Sequence, residues 1–361
     1  MNLNNLTYNP LYLFTYNISL RINISIIFIL FAIIYIPKQA HLQDIHLSQY
    51  YNSPLNLNPA LTAYSQADYR LILNNRNQWA SVTVPYKTIS GSFDMKLLNR
   101  KKSKDYFGIG LIFNKDQAGD SHYGTSQIGI NLSWIKSLGR RSHNIIALGI
   151  QAAFMQRSID YTKLYFPEQW NGNISQINTS NSETFTVNTF SFMDYSIGAH
   201  HSYAPSNKFK LNSGISVWHI SQPKQNLIEG KDAILNIKTQ IYTEAYIKTN
   251  TPIDLLPAIY LSLQGPYKEL LYGIKFNYKI HKGRKRLISL STAMYIRNID
   301  AAILFAGIDY HKLRLGISYD INTSALKAAS QYRGGTEISI KYLIFKNKRA
   351  PKLQTTPCPI F

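Results

Sequence analysis

The sequence predicts an all-β fold: a transmembrane antiparallel β-barrel of about 14 strands, with long extracellular loops and short periplasmic turns. Three observations carry this expectation. The 361-residue chain holds 26 Tyr, 16 Phe and 4 Trp, yet charged residues make up only 16% of it, below the roughly 25% of ordinary soluble domains. From Asp68 onward the dominant hydropathy period is two residues, the period of a strand. An apolar leader precedes everything else, as in exported chains.

The leader comes first. "ISIIFILFAIIYI", Ile24 to Ile36, follows Arg21 and precedes Pro37-Lys38. It is shorter than the roughly 20 residues that span a bilayer as a helix. Residues 1–42 therefore read as a secretory signal peptide, against an uncleaved anchor or a core helix. Export predicts a mature protein that begins near Gln43, which N-terminal sequencing of membrane-extracted material reads directly; recovery of Met1 would mean an anchor.

Next comes "QDIHLSQYYNSPLNLNPALT", polar and without period. Pro54 and Pro59 bar it from a central strand position, and Asn52, Asn56 and Asn58 suit loop backbone. A barrel of 14 strands has a lumen too wide for its own side chains to fill. Residues 43–67 are expected as a periplasmic N-terminal segment that lies in that lumen, caps it, or hangs free as an arm.

The barrel is expected over 68–345. In "HNIIALGIQAAFM", Ile146, Leu148, Ile150, Ala152 and Phe154 share one face, and Ala147, Gly149, Gln151 and Ala153 the other. "KLRLGISYD" and "YFGIGLIFN" repeat the pattern. The candidate strands are 68–77, 84–96, 105–115, 123–136, 144–157, 190–203, 208–220, 237–249, 255–264, 267–280, 285–297, 300–310, 311–320 and 331–345. Many reach the length of a tilted membrane strand. The longest links, 158–189, 221–236 and 321–330, all follow odd-numbered strands. A large soluble β-sandwich or barrel is the competing architecture; it leaves Trp134 and Trp218, near strand ends, without the role an aromatic girdle gives them. Residues 346–361 form a C-terminal tail.

The chemistry-bearing residues point away from catalysis. His200 and His201 are adjacent, so on a strand their rings face opposite ways, a poor chelating geometry. Asp116 and Asp120 flank "NKDQAGD", read as a turn rather than a catalytic or Ca²⁺-binding pair. The single Cys358 excludes an intrachain disulfide framework, and no nucleophile–base motif occurs. No cofactor is expected. The formal charge of +20 gathers partly in Arg100, Lys101, Lys102 and Lys104, in Arg140 and Arg141, and in Lys282, Arg284, Lys285 and Arg286. These clusters lie in separate turns behind an export signal, without interleaved stacking aromatics, so nucleic acid is not the expected partner. All follow even-numbered strands. They are candidates for a periplasmic rim that docks an acidic partner, beside the plainer role of lysines and arginines snorkelling to lipid headgroups.

Several blocks resemble the PorP/SprF family of the type IX secretion system: the opening stretch, "DYRLILNNRNQW", "GIGLIFNKDQAGD", "LGIQAAFMQRSIDYTKLYFPEQWNG", "YDINTSALKAASQYRGGTEISIKY" and "CPIF". The residues that carry the match are Asn58, Pro59, Ala60, Arg76, Asn77, Gln78, Trp79, Gly119, Asp120, Arg157 and Gly172. The last block departs from the pattern in having Ile360 where a basic residue is expected. The resemblance implies an integral outer-membrane barrel that is not an enzyme. It implies action in export or surface attachment of secreted proteins, in some members a gliding adhesin. The implied partners are other secretion components such as the periplasmic ring, a large secreted surface protein, and outer-membrane lipid. The alternative is a passive channel or transporter barrel for a small solute. Outer-membrane hydrolases are a distant third.

Overall fold

The computed structural model describes residues 44–78, 84–97, 105–119, 121–139, 143–164, 188–225, 234–282, 287–324 and 330–346. The expected leader, most of the loop 158–189 and the tail beyond Lys346 lie outside the described residues.

Fourteen antiparallel strands close into one barrel, each paired with its sequence neighbours and β1 with β14. They are β1 (Tyr69–Gln78), β2 (Tyr86–Leu97), β3 (Tyr106–Ala118), β4 (Tyr123–Leu138), β5 (Asn144–Ser158), β6 (Thr189–Ser206), β7 (Phe209–Trp218), β8 (Lys238–Lys248), β9 (Ile253–Gln264), β10 (Tyr267–Lys282), β11 (Leu287–Arg297), β12 (Ala301–Tyr310), β13 (Leu313–Asn322) and β14 (Arg333–Ile344). The seam runs in register from Tyr69 opposite Ile344 to Gln78 opposite Gly335. Closure leaves no edge strand, which is what a β-structure needs inside a bilayer. Among the described residues no helix is long and apolar enough to cross a membrane, so the strands do the crossing.

The two faces of the wall differ as the period-two pattern requires. On β4, Ile128, Ile130, Leu132 and Trp134 point outward, the first two 59% and 53% exposed, while Gln127, Asn131 and Ser133 are buried toward the lumen. Leu148, Ile150 and Phe154 do the same on β5, against Ala147, Gln151 and Ala153. A contiguous apolar exterior of this extent suits lipid rather than water.

The structure corrects two details of the sequence reading. Strand β3 runs on to Ala118, so Asp116 stands on a strand rather than beside a loop; it accepts a hydrogen bond from Thr88 Oγ1 at 2.5 Å. Trp218 is not part of an outer girdle. It falls in phase with inward-facing Ser216 and donates its indole N–H to Ser216 Oγ at 2.9 Å.

The start of β1, the end of β14 and the links after even strands share one rim, here called the chain-end rim. Its links include the two-residue turn His311-Lys312, where His311 adopts a φ of 55°. The opposite, long-loop rim carries the three longest links, 159–188, 219–237 and 323–332, although Gly265-Pro266 there is as tight as any.

The lipid-facing reading of β4 predicts that Ile130→Arg costs about 2–4 kcal/mol of folding free energy in phospholipid vesicles, the range for a cation near the bilayer midplane. Urea titration of vesicle-folded protein measures it, and an unchanged value would put this face in water.

A clamped luminal plug as the candidate functional site

Residues 44–64 pack against the inward face of the barrel, and 65–68 lead out to β1 at its rim. Their prolines and asparagines build a chain of short turns: a 3₁₀ turn at Tyr50–Asn52, the single-turn helix α1 (Pro54–Leu57) and a second 3₁₀ turn at Pro59–Leu61. Pro54 and Pro59 each open a turn, where a missing N–H leaves nothing unsatisfied. Asn58 Oδ1 accepts the Ala60 N–H at 2.8 Å, closing a local side-chain turn. The segment begins near the long-loop rim, where Asp44 meets His219, and descends to β1 at the chain-end rim.

The wall is shaped to receive it. Gly108, Ser133, Gly149, Gly198 and Ser216 stand directly opposite one another across β3 to β7, a row of small inward residues. A Cβ at Gly198 would collide with the Asn58 side chain, and one at Gly149 with the Pro59–Ala60 peptide. Backbone packs against backbone here, which only glycine permits. Asn58 Nδ2 then donates to the carbonyls of Ala199 (2.9 Å) and Ile215 (3.0 Å). Ser216 Oγ donates to Leu57 O and Ser133 Oγ to Thr62 O, both at 2.7 Å. On the opposite side Tyr50 stacks on Tyr260, ring centroids 4.8 Å apart, and Leu57 and Leu61 join the same apolar cluster.

A buried ionic clamp holds the upper half. Arg76 of β1 pairs with Asp320 of β13 (2.9 Å) and Glu337 of β14 (3.4 Å). Arg297 of β11 pairs with Asp320 (3.2 Å) and with Glu269 of β10 (2.9 Å). The plug's Ser48 sits at the centre. Its amide donates to Glu337 (2.7 Å), its hydroxyl to Asp320 (2.7 Å), and the hydroxyl oxygen accepts from both Arg76 and Arg297. Gln49 adds bonds from Nε2 to Ser318 Oγ (3.0 Å) and to the Glu337 carbonyl (2.9 Å). Lower down, Arg70 pairs with Asp94 and donates to the carbonyl of Leu61 at 2.8 Å.

The first described residue, Asp44, is tied to the loop after β7. His219 contacts Asp194 through Nδ1 (3.0 Å) and Asp44 through Nε2 (3.1 Å), while Lys238 Nζ lies 3.5 Å from Asp44. Burial alone pushes the His219 imidazole down. The Asp44 carboxylate and the bond to Asp194 outweigh it and push it up to about 9. Burial pushes the Asp44 carboxyl up, yet Lys238 and His219 hold it well below the usual carboxylate range. His46 goes the other way: burial, then the charges of Arg76 and Arg297, keep it well below the usual histidine range. The plug is thus fastened by charge at its start and middle and by close packing at its end.

The Type IX secretion system membrane protein PorP/SprF family model matches residues 39–342. The chain belongs to the PorP/SprF family. It is an integral outer-membrane β-barrel of type IX secretion. A comparison with curated proteins gives no match. Among solved structures, the toluene transporter TbuX of Ralstonia pickettii is 9% identical with a TM-score of 0.49, over 81% of this chain and 94% of that one. The toluene transporter TodX of P. putida is 10% identical with a TM-score of 0.47, over 82% and 95%. A FadL homologue of Pseudomonas aeruginosa is 9% identical with a TM-score of 0.43, over 79% and 92%. The family is one of type IX secretion.

Several PorP/SprF motif residues meet at the plug. Asn58, Pro59 and Ala60 dock on the glycine row, Arg76 is in the clamp, and Gln78 accepts from Arg76 at 3.2 Å. Asn77 adjoins them on β1. Arg157 stands apart, near the long-loop rim, where it donates to Tyr123 Oη at 3.2 Å and to Gln225. Gly119 has a φ of 66° in the turn after β3. Trp79, Asp120 and Gly172 lie outside the described residues. So do Arg100, Lys101, Lys102, Lys104, Arg140, Arg141, Arg284, Lys285 and Arg286 and the side chain of Lys282. His200 faces the lumen and bonds Tyr242 Oη at 2.9 Å, whereas His201 faces outward. Among the described residues no group of three His, Cys, Asp or Glu is placed to hold a metal.

Sequence reading missed Ser48, Asp94, Asp194, Glu269, Arg297, Asp320 and Glu337. Their signal was available. Each is a charged or polar residue at an inward strand position or in the plug, and in a chain with 19 Asp and Glu, acids on the inward phase of a strand are few.

Two expectations follow. Arg76→Met leaves Asp320 and Glu337 short of a buried partner, and loss of one partner of such a pair costs about 3–5 kcal/mol. The plug should then become accessible to protease at Gln49–Asn52 while the strands stay protected, read by limited proteolysis and mass spectrometry. The second concerns pH. His219 is protonated in the fold up to about 9, against 6.5 for the free side chain. Its raised value means its contribution is complete below about pH 6.5 and is lost as pH rises through 9. Asp194 of β6, Asp44, Lys238 of β8 and Arg157 of β5 are the charged groups around it. Amide exchange at Ile45 and His46, corrected for intrinsic rates, should accelerate across that window in wild type and stay flat in His219→Gln.

Proposed function

We propose that this chain is a non-enzymatic, plugged barrel that serves type IX secretion by holding partners rather than by passing a solute. The observation that carries this reading is the clamp on Ser48. A lumen crossed by residues 44–64 and closed by buried ion pairs leaves the rims and loops as working surfaces. Family membership supports the secretion context. The signal peptide, residues 1–42, delivers the chain to the periplasm. The chain-end rim then faces the periplasm, and the long-loop rim faces outward, with 159–188 as the surface for a secreted client such as a large adhesin.

In the sequence Arg100–Lys104 fall between β2 and β3, Arg140-Arg141 between β4 and β5, and Arg284–Arg286 between β10, which ends at Lys282, and β11; on this reading the three clusters work together at the chain-end rim. Exposed charge pairs contribute roughly 0.2–1 kcal/mol each, but a row of them steers and orients association. The rim therefore docks an acidic face of the periplasmic secretion ring. Reversing Lys101, Lys102, Arg140, Arg141, Arg284 and Lys285 to Glu should leave the barrel folded in the outer membrane and abolish recovery of ring components in a pull-down. Wild-type recovery should fall as salt rises. A reversed barrel that recovers the same partners at low salt refutes the docking rim. Solute-dependent conductance of the wild-type barrel in planar bilayers would favour the channel instead.

A further inference from the structure

The inner wall of β10 to β14 carries a second arrangement that the plug clamp does not use. Three consecutive inward rows follow from the register. Nearest the chain-end rim, Asp309, Arg314 and Lys341 stand side by side across β12, β13 and β14. One row up come Ser291, Gly307, Gly316 and Ser339, all small. Above them lie Lys275, Ala293 and Phe305. A charged row and, beyond a row of small residues, the single charge of Lys275 border a cavity of about 230 Å³, lined also by Tyr51 and Asn52 of the plug.

The cations around this cavity differ from those of the clamp. Arg70, Arg76, Arg297 and Lys238 each have a carboxylate within 4 Å. Among the described residues Lys341 has no carboxylate within 4 Å, and its Nζ donates to Asn52 Oδ1 at 3.2 Å. Lys275 likewise has no carboxylate within 4 Å among the described residues; its Nζ lies 5.1 and 5.5 Å from the ring centroids of Tyr51 and Phe305, and Glu244 and Asp309 act on it from farther off. Lys341 also feels the like charges of Arg314 and Lys275. Glu244 lines the cavity too, and Arg314 is partly offset by Asp309 at 3.6 Å, so three cations face two acids. Half-buried ammonium groups crowded together with no carboxylate in ion-pair contact are unfavourable. Such an arrangement is relieved by an anion that takes up their free N–H donors. The amide N–H groups of Asn277 add neutral donors at the same space, oriented by the Ser291 hydroxyl, which donates to Asn277 Oδ1 at 2.8 Å, while the Ser339 hydroxyl is taken up by Gln49 Oε1 at 2.7 Å. Arg314 and Asp309, 46% and 31% exposed, stand at the mouth on the chain-end rim, so the cavity is reached from that side.

We propose that this cavity is a binding site for an oxyanion, a carboxylate or a phosphate group, held by Lys275 and Lys341 and reached past Arg314. The site is independent of the docking rim and of any secretion role. Its signature is a trade between stability and binding: groups kept for a ligand are a burden without it.

The test uses the full-length mature barrel in detergent, with glutarate and inorganic phosphate as separate probes, each titrated at constant ionic strength against chloride. Wild type should gain thermal stability saturably with at least one probe, and the better probe distinguishes carboxylate from phosphate. Lys275→Met and Lys341→Met keep the aliphatic stems. Each should leave the probe-free unfolding temperature unchanged or raised, and weaken the apparent affinity roughly tenfold or more, the worth of one charge-assisted bond. Ser291→Leu fills the space without touching a charge and should abolish the response. Lys136→Met, on the outer face, should not alter it. A response absent from wild type, reproduced by chloride, or retained in Ser291→Leu overturns the site. So does a probe-free barrel destabilised by Lys275→Met and Lys341→Met alike, since that would make the lysines structural.

Discussion

Ser48 Oγ touches two arginines and a carboxylate in a space closed to water, and much of the molecule is arranged around that contact. Closing fourteen strands gives a wall whose outer face belongs to lipid, so every remaining polar group must face inward or lie at a rim. The lumen that results is too wide for wall side chains to fill. Buried polar groups without partners are unfavourable, and a water-filled lumen would forgo the apolar contacts that Tyr50, Leu57 and Leu61 make. Residues 44–68 resolve both. They bring backbone and hydroxyl groups to the arginines and acids of the wall, and aromatic rings to Tyr260 and Tyr295.

The two sides of the lumen are built differently for this purpose. Across β3 to β7 the inward row is glycine and serine, and the plug approaches until backbone meets backbone. Across β8 to β12 the inward face carries Tyr242, Tyr260, Tyr295 and Phe305 in neighbouring rows, and Tyr50 and Tyr51 meet the last three ring on ring. Small residues facing large ones position the plug laterally, while the charges fix its height. The same logic read in reverse explains the free cavity on β10 to β14. A row of small residues there meets no plug backbone, and the space stays open beneath Tyr51.

The strands were the legible part of this fold. Period two over ten or more residues marks a wall with two solvents, and all fourteen candidate ranges overlap the observed strands. Boundaries slipped where local chemistry resembles a turn, as at Asp116, where "NKDQA" continues as strand up to Ala118 and Thr88 on β2 donates to the carboxylate. Alternation also hides which face is which. Trp218 and Trp134 read alike as aromatic strand ends, and only phase against Ser216 sends the first inward. The plug's prolines and asparagines showed that it was no strand. Which wall residues it meets was not legible, since they come from strands all around the ring, β1, β4 to β9, β11, β13 and β14 among them, and register around a closed ring is a property of the whole circle.

The seam is where these constraints meet. Arg76 of the first strand and Glu337 of the last stand opposite each other in register, and closure alone would bury that pair with Asp320 and Arg297 as a half-satisfied network. A partly satisfied buried network is worse than an apolar one. Ser48 and Gln49 supply the missing donors and acceptors to β13 and β14, while the peptide chain itself joins them to β1 twenty residues later. The plug therefore bonds to one side of the seam and is covalently continuous with the other. Seating the plug and closing the ring stabilise the same contacts, so each is favourable to the extent that the other is complete.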